Sequence, residues 1–166
     1  MVESVLIAVF SDTHGNTRPM FETVRRIKPD AVLHLGDHAR DAEALEAAFP
    51  QLDVRFVRGN CDLAAFAPDK LTPMWQGVRI FMTHGHLYNV KYTMQPLMNA
   101  AGFSEAQLVL YGHTHIPDWE EHDGVQFLNP GTAGSGSRLS YALIELRNGS
   151  FKTRLCPIDP DLCDPC

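Results

Sequence analysis

The sequence predicts an α/β fold in which two packed mixed sheets are flanked by helices. Three features predict it. Short apolar runs, rich in β-branched and aromatic residues, each end abruptly in a polar cluster. Helix-like stretches separate those runs over the first 115 residues, and beyond residue 115 the pattern changes to hairpins. Strands alternating with helices imply parallel strands under helical cover, and the hairpins add antiparallel ones.

Taken in order, Val5 to Phe10 reads as a buried strand running into Ser11-Asp12-Thr13-His14-Gly15-Asn16. Pro19 to Lys28 carries Met20, Val24 and Ile27 at helical spacing, with Asn16 or Thr17 as its cap and Pro29 as its stop. Ala31 to Leu35 is the next strand and ends in Gly36-Asp37-His38. Asp41 to Phe49 is Ala-rich and acidic, a good helix former, closed by Pro50. Val54 to Val57 runs into Arg58-Gly59-Asn60-Cys61-Asp62. Lys70 to Gln76 pairs across Gly77 with Val78 to Met82, which ends in Thr83-His84-Gly85-His86. Tyr92 to Ala101 reads as a helix that starts late or kinks at Pro96 and stops at Gly102. Leu108 to Tyr111 runs into Gly112-His113-Thr114-His115. Trp119 to Asp123 and Val125 to Leu128 form one hairpin. Leu139 to Leu146 and Ser150 to Leu155 form a second around Asn148-Gly149.

The length of 166 residues suits one domain, residues 1–156, followed by a Cys/Pro/Asp-rich tail, 157–166. A composition of 45% hydrophobic and 20% charged residues excludes disordered and fibrous classes. No apolar run approaches the roughly 20 residues that a membrane helix needs. With 14 basic against 20 acidic residues the net charge is −6, without the footprint of an extended nucleic-acid surface. No basic segment followed by a long apolar stretch opens the chain, so the expectation is a cytoplasmic protein with free thiols. Cys61, Cys156, Cys163 and Cys166 do not form an evenly spaced disulfide framework. The last three read as part of an unstructured tail in preference to a zinc site.

Ligands of open α/β sheets bind beyond the carboxyl ends of the strands, where every polar cluster falls. The side chains delivered to that rim are Asp12, His14, Asp37, Asn60, His84, His113 and His115. Imidazole with carboxylate suits Mn, Fe, Zn or Ni better than Ca or Mg alone. Seven donors exceed one tetrahedral site and suit two ions sharing a carboxylate, the arrangement that clamps both oxygens in phosphoryl transfer. Asp12 and His14 are two apart, as are His113 and His115, so in extended chain each pair faces the same way.

Asp12-x-His14, Gly36-Asp37, Gly59-Asn60, His84 and Gly112-His113-x-His115, in that order, resemble the motif set of the calcineurin-like metallophosphoesterases. Gly59-Asn60-Cys61-Asp62, Thr83-His84-Gly85-His86 and Asn129-Pro130-Gly131 resemble, more narrowly, its small bacterial and archaeal phosphodiesterase branch. The resemblance implies a four-layer α/β/β/α sandwich of the metallo-dependent phosphatase type. It implies one metal held by Asp12, His14 and His115, a second by Asn60, His84 and His113, and Asp37 bridging them. The implied activity is that of a dinuclear metal-dependent phosphoesterase, a phosphodiesterase first, in which a metal-bridging hydroxide attacks phosphorus in line. The implied cofactors are two divalent transition-metal ions, Mn before Fe, Ni or Zn. The implied partner is a small phosphoester.

Many relatives carry His directly after the Gly-Asn pair, where this chain has Cys61, as the small phosphodiesterase branch does. His86 and His38, both beside ligands, are therefore the candidate proton donors to the leaving group, with Cys61 the third candidate catalytic residue. Two other readings stand beside the phosphodiesterase. One is a phosphomonoesterase with the same site. The other is a non-catalytic metal-binding scaffold, since the branch resembles a eukaryotic retromer scaffold subunit. Competent donors at all seven positions favour an enzyme. An exposed hairpin edge leaves a homodimer open. Asp62 reads as a turn or cap residue, His34 as a packed sheet residue, and Arg58 and Arg138 as solvated surface arginines. Asn129 to Thr132 reads equally as a phosphate-facing loop or an ordinary turn.

Overall fold

In the computed structural model, which describes residues 3–159, each apolar run forms a strand. In chain order the elements are β1 (Val5–Phe10), α1 (Arg18–Ile27), β2 (Ala31–His34), α2 (Ala39–Ala48), β3 (Asp53–Phe56), β4 (Lys70–Leu71), β5 (Met74–Trp75) and β6 (Val78–Thr83). A 3-10 turn at His86–Tyr88 follows, then α3 (Gln95–Ser104), β7 (Leu108–Leu110), β8 (Pro117–His122), β9 (Val125–Pro130), β10 (Leu139–Arg147) and β11 (Ser150–Ile158).

The first sheet has the order β11-β10-β1-β2-β3, with β1, β2 and β3 parallel and the β10–β11 hairpin antiparallel. The second has the order β4-β6-β7-β9-β8, with β5 also pairing β6; β6, β7 and β9 are parallel. Alternation along β1 explains the layering. Ile7 and Val9 face inward and meet Ile80, Met82, Leu110 and Leu128 of the other sheet. Ala8 and Phe10 face outward, under Met20 and Val24 of α1 and Ala42 and Leu45 of α2. On the far side Phe81, Val109 and Phe127 pack beneath Leu97 and Ala101 of α3. The molecule is an α/β/β/α sandwich. Central strands covered on both faces read as continuous apolar runs for that reason.

Several local expectations are corrected. Helix α3 passes through Gly102 and ends at Ser104, with Glu105 left-handed and its N–H bonded to the carbonyls of Ala101 and Gly102. An exposed helical glycine costs about 1 kcal/mol relative to alanine, which is not enough to stop a helix anchored by Leu97 and Ala101. Of the two expectations at Pro96 the late start holds: α3 begins at Gln95, with Pro96 in the first turn, where its missing N–H has no helical acceptor to lose. Thr17 stands at the cap position of α1 but makes no capping bond through its side chain. The segment before Gly77 is broken into β4 and β5, which flank Thr72-Pro73. Strand β11 runs on to Pro157 and Ile158, paired with Ser140 and Leu139, past the expected start of the tail. Proline is tolerated there because β11 is an edge strand. The remainder of the tail, with Cys163 and Cys166, lies outside the described residues. Among the described residues no helix is long and apolar enough to cross a membrane.

Parallel strands end on the same side, so the segments after β1, β2, β3, β6 and β7 meet at one rim. They pack backbone against backbone. Asp12 N donates to Gly36 O (3.0 Å) and Gly112 N to His84 O (2.9 Å). Gly36 has φ +97°, and a Cβ there would sit 2.5 Å from Gly59 N, so no larger residue fits this contact.

Candidate metal centre

At this rim one donor atom each of Asp12, His14, Asp37 and His115 lies within 4.8 Å of the others, and the same holds for Asp37, His84 and His113. The two sets share Asp37. Asp12, Asp37 and His84 are buried; His14, His113 and His115 are half-buried. His115 Nε2 approaches Asp12 Oδ1 to 3.0 Å and His14 Nε2 to 3.3 Å. His84 Nε2 lies 3.4 Å from Asp37 Oδ2.

In Asp12, Asp37 and His84 the other polar atom is fixed by bonds that leave one donor atom free. Asp12 Oδ2 accepts from Ser11 Oγ (2.5 Å) and from His113 N (3.1 Å), whereas Asp12 Oδ1 is buried without a hydrogen bond. Asp37 Oδ1 accepts from Cys61 N (2.9 Å). His84 Nδ1 donates to Leu35 O (2.8 Å), which puts the lone pair on Nε2, and that atom too is buried without a hydrogen bond. A buried polar atom left unpaired costs about 1–3 kcal/mol, and more when charged. Buried donor atoms left unbonded beside one another, as Asp12 Oδ1 and His84 Nε2 are, fit a shared cation, and the donor set fits a divalent transition metal.

Electrostatics follow this packing. Burial alone would raise the Asp37 pKa, but the close approach and charge of His84 and the N–H of Cys61 outweigh it, holding the carboxyl well below the usual range. Burial lowers His84, but the nearness of Asp37 and the charges of Asp12 and Asp37 reverse that and raise it. Burial, then the charge of His84, lowers His113 to about 4, so its imidazole is neutral.

The two-residue spacing works by a geometry other than extended chain. Asp12, His14, His113 and His115 all have left-handed backbone, with φ of 56°, 47°, 69° and 62°. Asp37 and His38, at 57° and 77°, share it.

The other predicted residues lie around this core. Asn60 is exposed, and its amide donates to Cys61 Sγ at 3.5 Å. His86 sits against the second set, its ring centroid 5.3 Å from that of His84 and 6.1 Å from that of His113. Its Nδ1 is buried with no hydrogen bond. His38 is exposed beside the first set, its ring centroid 5.9 Å from that of His14. Cys61 is exposed; burial of its thiol and then the charge of Asp37 push its pKa up.

Asp62 is the turn and cap residue expected and His34 the packed sheet residue, but sequence reasoning missed how these and their neighbours position the ligands. Asp62 accepts from four backbone donors: Asp37 N and Gly59 N on Oδ2, His38 N and Ala39 N on Oδ1, at 2.8–3.0 Å. It thereby ties the turn after β3 to the start of α2 and fixes the backbone of Asp37. Asn129 donates to Gly112 O and Thr114 Oγ1, and Thr132 Oγ1 donates to Asp12 O. That stretch is a brace under the ligand turns. His34 accepts from Gly36 N on Nδ1 and bonds Thr13 Oγ1 through Nε2.

The family model for the calcineurin-like phosphoesterase superfamily domain matches residues 5–149. The chain belongs to this superfamily. A probable metallophosphoesterase of Bacillus subtilis, YsnB, is 30% identical over 158 residues, 89% of this chain and 88% of that protein. The phosphodiesterase YfcE of Escherichia coli is 31% identical over 100 residues, 54% of this chain and 50% of its own length. Among solved structures, a predicted phosphoesterase of Streptococcus pneumoniae superposes with TM-score 0.77 at 30% identity, covering 98% of this chain and 97% of that one. Zinc-complexed Vps29 of Entamoeba histolytica shares the fold with TM-score 0.70 at 20% identity, covering 93% and 99%.

Two predictions follow from the shell around this calcineurin-like site. Asp62→Ala strands four N–H groups and frees Asp37, so Mn²⁺ affinity measured by calorimetry falls about 10- to 100-fold, and urea unfolding reports a loss of about 2–4 kcal/mol. His34 is fully buried, and burial lowers its pKa from 6.5 to about 4. Below 6.5 the unfolded chain takes up a proton that the folded one refuses. Stability of the metal-free protein therefore falls as pH drops from about 6.5 to about 4, by up to about 3 kcal/mol from this residue. Urea titrations across that window should show a shallower slope for His34→Gln.

Proposed function

We propose that the chain is a dinuclear metal-dependent phosphodiesterase that hydrolyses a small phosphodiester by in-line displacement in the cytoplasm, with Mn²⁺ before Fe, Ni or Zn as its ion. The observation that carries this reading is the pair of donor sets meeting at Asp37, with Asp12 Oδ1 and His84 Nε2 buried and unbonded. Asp12, His14 and His115 would hold one ion, and His84 and His113 the other, with Asn60 turned inward to join them and Asp37 common to both. When bound, two divalent ions supply Lewis acidity, polarising a phosphoryl oxygen and acidifying water near neutral pH.

The protein's own part is positioning and proton delivery. Leu35 O fixes the His84 ring, Cys61 N and Asp62 fix Asp37, and Ser11 and His113 N fix Asp12. His86, whose ring lies 5.3 Å from that of His84, is the candidate proton donor to the departing oxygen. A diester suits the site better than a monoester dianion, because Arg58 is committed to Asp69 by hydrogen bonds of 2.6 and 3.3 Å. The name of the YfcE relative agrees with a diester.

Mn²⁺-supported hydrolysis of bis(p-nitrophenyl) phosphate is the expected activity. It should vanish on chelation, return with Mn²⁺, and fall more than about 100-fold in Asp37→Asn. Metal binding with no turnover on mono- or diesters would favour the scaffold, and turnover of monoesters in preference to diesters would favour the phosphomonoesterase. A steady-state comparison of leaving groups tests the proton donor. His86→Ala should slow an alkyl-leaving diester by about 100-fold or more while barely affecting p-nitrophenolate departure, and His38→Ala should alter neither. Normal turnover of the alkyl-leaving diester by His86→Ala would remove His86 from that role.

A further inference from the structure

Beside the second donor set lies an open pocket of about 300 Å³, lined by Arg58, Asn60, Leu63, Asp69, His86 and Leu87. Its inner wall belongs to the site, for Asn60 follows the turn that packs on Asp37, and the His86 ring lies tilted beside that of His84. Its outer walls are apolar side chains left in water: Leu63 is 92% exposed and Leu87 58%, on two separate segments of chain.

The charges around this pocket cancel. Arg58 is paired with Asp69, and Asp62, which also lines it, has both oxygens engaged by backbone N–H groups. A ligand group entering there meets two apolar faces, an amide and an imidazole. A second phosphate would find no unpaired cation among these lining residues, whereas an uncharged ring would remove leucine surface from water. The volume lies at the small end of ligand sites, enough for one ring system and too little for a peptide.

We propose that this pocket is the subsite for one ester substituent of the phosphodiester, and that it selects an uncharged planar group of aryl or nucleobase size packed between Leu63 and Leu87. The proposal rests on the phosphodiesterase reading of the adjoining metal centre. It is tested by calorimetric titration of the Mn²⁺-loaded protein with two stable phosphonates, phenylphosphonate and methylphosphonate. Phenylphosphonate should bind about 10-fold more tightly. In the double variant Leu63→Ser, Leu87→Ser that preference should shrink to less than about 3-fold, with Mn²⁺ and methylphosphonate affinities unchanged. Both leucines are largely solvated, so the variant keeps its core. Equal binding of the two phosphonates, or an undiminished preference in the double variant, overturns the subsite. If that happens while diester turnover persists, the phosphodiesterase reading survives; loss of both turnover and phosphonate binding overturns both.

Discussion

Two buried carboxylates set the terms for the rest of this molecule. Asp12 and Asp37 lie at the end of an apolar sandwich, each with one oxygen engaged by neighbouring donors and the other turned toward the imidazoles. A carboxylate withdrawn from water is costly unless it is paired. The hydrogen bonds to the engaged oxygens offset part of that cost and determine where the free oxygens point. This division of labour requires turns from distant stretches of chain to approach within hydrogen-bonding distance. The parallel strands make that possible, since they deliver successive turns to one rim, and Gly36 against Gly59 lets two of those turns touch without side chains between them.

The same requirement explains the backbone at the site. Six residues there, Asp12, His14, Asp37, His38, His113 and His115, take left-handed conformations. For a residue with a Cβ this costs about 1–2 kcal/mol each, and Asp and His are among the side chains that tolerate it best. A strand would have sent each donor pair along a straight face. The left-handed turns curl the chain back on itself, so that His113 donates its own N–H to Asp12 while its ring joins the other set. The strain is held by bonds that reach across the fold, from Asp62 to four N–H groups and from Thr132 to Asp12 O.

Most of the fold was legible because it depends on periodicity. Runs such as Val5 to Phe10 and Leu108 to Tyr111 are apolar on both faces, and in the structure both faces are covered. Two of the misread boundaries involve local breakers that packing overrode, Gly102 inside α3 and Pro157 inside β11; a third is a strand that Thr72-Pro73 broke in two. The ligand types were legible as Asp and His directly after strands. Asp62 was legible as a cap but not as the residue that orients Asp37, since three of its four acceptor bonds join segments 20 or more positions apart. Leu63 and Leu87 carried no signal either, because a single exposed leucine means nothing until folding sets it beside a site.

Charge balance joins the metal centre to its surroundings. The chain is acidic, with a net charge of −6, and Arg58, which lines the pocket beside the site, is paired with Asp69. Side chains alone therefore give a phosphodiester anion little reason to approach. Two divalent ions would bring four positive charges against the two carboxylates, reversing the local sign. The attraction between unlike charges is strong near a low-dielectric wall and weak across bulk water, so that reversal would be felt at the rim and not over the whole surface. Affinity for the anion would then depend on metal occupancy, and the neutral pocket alongside would be left to distinguish one ester substituent from another.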